Sequence, residues 1–142
     1  MARLRRAGIL LTVFFVALGL GGAVAGAKKK HKHKRNWRTS VTLTQSSTTQ
    51  FTGEVSSKLG ACAGNRVVTL YYTDPATLQS LPLSVRRTGG KGKFEVDLVK
   101  PAFTGAYYVI VDQRKVRAQG AKQTCKPAQS RSLAVQGQPV AP

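Results

Sequence analysis

The sequence predicts an all-β protein, a single seven-stranded antiparallel Greek-key sandwich behind an N-terminal signal helix and a basic linker. Three observations predict it. Beyond residue 38, apolar residues recur every second position in short runs, the period of strands. Turn residues separate those runs, and none of them shows a 3.6-residue period. The chain holds two cysteines, Cys62 and Cys125, each near an apolar run. Its 142 residues leave room for one domain plus a leader.

Residues 1–27 read as a signal peptide. Arg3, Arg5 and Arg6 precede an apolar stretch from Ile9 to Leu20, and small residues follow. Cleavage fits Ala23-Val24-Ala25 or Ala25-Gly26-Ala27. Sec-type export suits the stretch better than a twin-arginine signal, for which Arg5-Arg6 is the one indication. An uncleaved membrane anchor over residues 7–27 is the alternative, because no charge falls between Ala7 and Ala27. The glycines in its second half weaken that reading, whereas the basic excess after it opposes export by the positive-inside rule.

Residues 28–37 read as a disordered basic linker, since Lys28, Lys29, Lys30, Lys32, Lys34 and Arg35 repel one another and offer nothing to bury. The run serves either as an electrostatic tether to an anionic surface or as a solvated spacer. His31 and His33 stand among lysines that repel a cation, so no metal is expected there.

In the folded part, Thr39, Val41 and Leu43 mark a first strand, and Phe51, Gly53 and Val55 a second. A loop over Ser56–Asn65 carries Cys62 into a third strand with Val68 and Leu70 on one face. Thr73-Asp74-Pro75-Ala76 is a turn, because proline disfavours helix in the residue before it. Leu83 and Val85 form a fourth strand, placed at an edge because Pro82 has no N–H to donate. A glycine turn at Thr88–Gly92 leads into Phe94, Val96 and Leu98; it lacks the spacing of a phosphate loop. Gly105–Val111 is apolar at alternate and intervening positions, as in a central strand covered on both faces. Asp112–Gln129 reads as a long basic loop with Arg114, Lys115, Arg117, Lys122, Cys125 and Lys126. Leu133 and Val135 close the domain at about residue 136, and residues 137–142 should fray.

A Greek-key order brings the loops holding Cys62 and Cys125 to one end of the sandwich. A structural disulfide is therefore expected, while a catalytic thiol or metal ligand would have no histidine in the folded part to work with.

The series Phe51-x-Gly53-x-Val55, Cys62 with Arg66-x-Val68, Gly92-x-Phe94-x-Val96, and Gly105-x-Tyr107-Tyr108-Val109 with Cys125 resembles the carboxypeptidase regulatory-like, prealbumin-type sandwiches of exported bacterial proteins. The likeness covers about Val41 to Val135 and is carried by turn and core positions. It implies an immunoglobulin-like or prealbumin-like accessory module of the cell envelope and transfers no catalytic residue. Related surface domains form Lys–Asn isopeptide links, but Ser130–Gln136 contains no Asn to make one.

Lysine and arginine total 23 against five acids, giving a net charge of +18. That excess favours anionic partners, namely envelope polymers or lipid head groups. The expected contact residues are the linker cations and the basic loop, Arg114 to Lys126. Nucleic acid is the less expected partner, because no RNA-binding sheet motif or helix-turn-helix pattern occurs and Tyr71, Tyr72, Tyr107 and Tyr108 fall in strands needed for the core. A purely structural, accessory secreted domain is the remaining alternative. No enzyme activity, cofactor or metal is expected; Glu95 and Asp97 share a strand face as an isolated pair of acids. The protein partner and the oligomeric state leave no mark in the sequence.

Overall fold

The computed structural model describes residues 34–138. The expected signal peptide, the linker cations Lys28, Lys29, Lys30 and Lys32, both histidines and residues 139–142 lie outside the described residues. Among those described, regular structure is strand apart from one 3₁₀ turn at Gly60–Cys62.

The strands are β1 (Asn36–Trp37), β2 (Ser40–Ser47), β3 (Gln50–Ser56), β4 (Val67–Thr73), β5 (Ser80–Arg87), β6 (Lys93–Asp97), β7 (Gly105–Val111), β8 (Arg114–Ala118), β9 (Ala121–Cys125), β10 (Ala128–Gln129) and β11 (Leu133–Val135). The seven predicted runs correspond to β2 to β7 and β11. One sheet has the order β2-β3-β6; a second has the order β10-β7-β4-β5, with β11 also on β7. These two face each other across a β-sandwich core. The third sheet, β1-β9-β8, is a small appendage.

Alternation builds the core as the period-2 pattern requires. Phe51 and Val55 of β3 and Phe94 and Val96 of β6 meet Val68, Leu70 and Tyr72 of β4 and Tyr107, Val109 and Val111 of β7 in one cluster. Phe51 stacks on Tyr107 at 4.8 Å between ring centroids, which joins the sheets across their middle. Gly53 lets Phe94 lie over its backbone: a Cβ there would stand 2.3 Å from the ring. Pro82 does sit in an edge strand, because β5 ends its sheet.

Five expectations are corrected. The long loop over Asp112–Gln129 is instead a hairpin, β8–β9, paired from Arg114↔Cys125 to Ala118↔Ala121. Its two-residue turn has φ of +52° at Gln119 and +70° at Gly120, the left-handed pair that matches strand twist. Cys125 accordingly lies in a strand. The linker ends before 37: β1 runs parallel to β9, Asn36↔Thr124 and Trp37↔Cys125, and the Arg35 N–H donates to Gln123 Oε1. The start of the tail is held, since Gly137 donates to Thr104 Oγ1 and Gln138 to the Ala102 carbonyl. Nor is β7 buried on both faces. Tyr107 is fully buried, but Tyr108 points outward and is half-buried. It stacks on Tyr71 of β4 at 5.2 Å, so that pair covers the outer face instead of filling the core.

Candidate anion-binding end

The strand registers place one set of connections at each end of the sandwich. Ser40↔Ser56, Glu54↔Lys93, Val67↔Arg87 and Val68↔Val111 mark one end. Gln50↔Asp97, Thr73↔Ser80 and Val135↔Gly105 mark the other. The first end holds the Cys62 loop, the β5–β6 turn, the exit of β7 into the hairpin and the entry of the chain through Lys34 and Arg35.

Cys62 and Cys125 form a disulfide there, with Cα atoms 5.4 Å apart across a sequence separation of 63. Both are fully buried. Beside them lies Arg66, 0 % exposed. Its five guanidinium hydrogens are all used. Nε and Nη2 donate to the Asp112 carbonyl; Nη1 donates to Cys62 O at 2.7 Å and Thr39 Oγ1 at 3.2 Å; Nη2 also donates to Lys126 O at 3.0 Å. Burial pushes the Arg66 guanidinium below its ordinary range, and the charge of Arg114 adds to that. A ring of oxygen acceptors offsets the lost hydration. This arginine joins the Cys62 loop, the end of β7, the end of β9 and the approach to β2.

The hairpin therefore stands on a rigid root. Its register puts Lys115 opposite Thr124 and Arg117 opposite Lys122, and cross-strand partners share a face. The three cations project to solvent from that face. The opposite face carries Val116, Gln123 and Cys125 against the domain, where Gln123 Oε1 also accepts from the Trp37 indole. An open groove of about 390 Å³ runs between Arg114–Arg117 and the glycines Gly60, Gly64 and Gly90.

The predicted contact residues divide accordingly. Lys34, Arg35, Lys115, Arg117, Lys122 and Lys126 are exposed at this end. Arg114 is half-buried and spends Nη1 on the carbonyls of Gly64, at 2.8 Å, and Asn65. It also clamps the hairpin to the Cys62 loop. The sequence reading missed Lys58, Arg86, Arg87, Lys91 and Lys93. All are exposed, and topology alone carries them to the same end.

At the far end, the connections 48–49, 74–79, 98–104 and 136–138 bear one described cation, Lys100. Two apolar tips stand out there, Leu78 at 78 % and Val99 at 102 % exposure. Glu54, Glu95 and Asp97 lie on the outer face of β3 and β6, and the Gln50 amide bridges Glu95 and Asp97. Among the described residues, no group of three His, Cys, Asp or Glu is placed to hold a metal ion.

The fold and this end define a disulfide-stapled β-sandwich module with most of its described cations gathered at one end. No protein-family model matches the sequence, and no curated protein matches it. Among solved structures, the tetra-tandem repeat in the extending region of a large adhesion protein is similar at 18% identity and a TM-score of 0.36. The match covers 66% of this chain and 23% of that chain, so the chain spans less than a quarter of the adhesion structure.

Proposed function

We propose that the protein is an exported, noncatalytic module that holds to phosphate-bearing anions of the cell envelope, polymers or lipid head groups, through its basic end. The observation that carries this is convergence. Cations from the Cys62 loop, the β5–β6 turn and the hairpin gather where Lys34 and Arg35 lead in from the polybasic segment. Each lysine or arginine near an anionic surface contributes about 1 kcal/mol, within a Debye length of about 8 Å. The disulfide suits an oxidising compartment, as does the leader. The carboxypeptidase regulatory-like resemblance rests on its residue series from Phe51 to Cys125, and the seven-strand Greek-key reading is supported by the order β2-β3-β6 against β11-β7-β4-β5, in which β6 returns to β3 after the β4–β5 hairpin.

Sedimentation with vesicles tests this. Binding is expected to vesicles containing phosphatidylglycerol and to a soluble polyphosphodiester, to weaken steeply with salt, and to be absent from neutral phosphatidylcholine. Deleting Lys28–Arg35 should weaken it. Unchanged retention in high salt, or equal binding to neutral vesicles, would refute the reading.

The edge strand β5 favours a second reading, an accessory domain seated on a protein neighbour. Leu81, Leu83 and Val85 are 53 %, 42 % and 57 % exposed along it. Pro82 interrupts its capacity to extend the sheet, so such a contact would use side chains rather than strand addition.

A further inference from the structure

Resting on that reading, we infer that the partner is a planar anionic lipid surface and that the module docks on it end-on, strands upright, with Val99 and Leu78 outermost. A flexible anionic polymer needs only one row of cations. Here they are distributed over the whole end: Lys58 from the connection after β3, Arg87 and Lys91 from the β5–β6 side, and Lys115, Arg117 and Lys122 from the appended hairpin. They occupy an area that spans both sheets, and an area matches a plane.

Screening decides the pose. Only charges within about 8 Å of the lipid phosphates contribute, so the favoured orientation brings the most cations into that layer and the fewest carboxylates. Laid on the β2-β3-β6 face, the module would press Glu54, Glu95 and Asp97 onto like charge against the single cation Lys93 of β6. On the Tyr71–Tyr108 face, β4 and β7 themselves offer no cation. Inverted, it would offer, among the described residues, Lys100 alone, beside Asp74 and Asp97. That last pose is the serious competitor, because Val99 and Leu78 are apolar tips able to enter a bilayer interface. Anionic head groups oppose it, whereas at the basic end the cations far outnumber the two carboxylates there, Glu54 and Asp112. At about 3.3 Å per residue, a seven-residue strand and its loops put the two ends roughly 30 Å apart.

The single tryptophan, Trp37, lies at the basic end and serves as an energy-transfer donor to a dansyl label on the lipid head group. On phosphatidylglycerol vesicles, transfer from Trp37 should be at least severalfold greater than from a Trp37→Phe/Val99→Trp variant at equal bound fraction. Sedimentation measures that fraction separately. Loss of all binding would overturn the proposed function itself. Binding with equal or greater transfer from position 99 would overturn only the end-on pose. Retention on a soluble polyphosphodiester but not on vesicles, at matched phosphate, would overturn the planar partner. Should replacing Trp37 unfold the protein, Leu78→Ala/Val99→Ala carries the test: unchanged vesicle affinity is expected, and a loss beyond threefold contradicts the pose.

Discussion

The guanidinium of Arg66 donates to the carbonyl of Lys126 at 3.0 Å, so the residue after Cys125 is held by the residue four after Cys62. The covalent and hydrogen-bonded ties thus lie side by side. Together they fix a cationic hairpin to a sandwich that shares no strand pairing with it.

Replacing Arg66 by Met should cost about 3–5 kcal/mol, because the carbonyls of Cys62, Asp112 and Lys126 lose their donors in a buried site. Arg66→Lys should recover little, since one ammonium cannot reproduce a planar fork of five donors. Urea unfolding checks this through a lower midpoint.

Removing the disulfide as Cys62→Ala/Cys125→Ala should destabilise the domain by about 4 kcal/mol on the chain-entropy account of a loop of this length. Because both sulfurs are buried, thiol labelling of the native protein under reductant should be slow and should accelerate in urea. Intact mass after alkylation reads both states.

The hairpin turn depends on Gly120 at φ +70°. Gly120→Val should cost about 1–2 kcal/mol through the left-handed backbone penalty and lower the thermal midpoint. Gln119→Asn should be neutral or stabilising, since Asn tolerates that region better.

Burial raises the phenols of Tyr72 and Tyr107 above their ordinary range, with a smaller contribution at Tyr72 from the charge of Asp74. Each folded-state value exceeds the unfolded one. The stability from holding the phenols neutral is therefore complete below about pH 10 and is lost as pH rises through the folded values. Alkaline unfolding should be cooperative, and phenolate absorbance from these two residues should appear with it rather than before it.

Much of the sandwich was legible because Phe51, Val55, Val68, Leu70, Phe94 and Val96 obey a strict alternation that only a half-buried strand requires. The β8–β9 hairpin escaped notice because, of its inward residues Val116, Ala118, Ala121 and Gln123, Val116 alone is a sizeable hydrophobe, too little to raise an alternating signal. Its outward alternation of Lys115, Arg117 and Lys122 around Gln119-Gly120 was the available clue. Arg66 left no local mark, since an arginine is buried only when distant carbonyls converge on it. The basic end was half visible: Lys115 and Arg117 are neighbours in sequence, but Lys58 and Lys91 join them through topology alone. Arg114 looks like its neighbours on paper, and only geometry separates clamp from surface charge.

Vesicle affinity of the Lys115→Ser/Arg117→Ser/Lys122→Ser variant tests the role of the basic end most directly, compared with Lys100→Ser/Arg131→Ser as a control away from it. At about 1 kcal/mol per cation, the triple variant should bind phosphatidylglycerol vesicles roughly a hundredfold more weakly with its fold intact, and the control should stay near wild type. Equal losses in both variants, or none in the triple, would contradict the account.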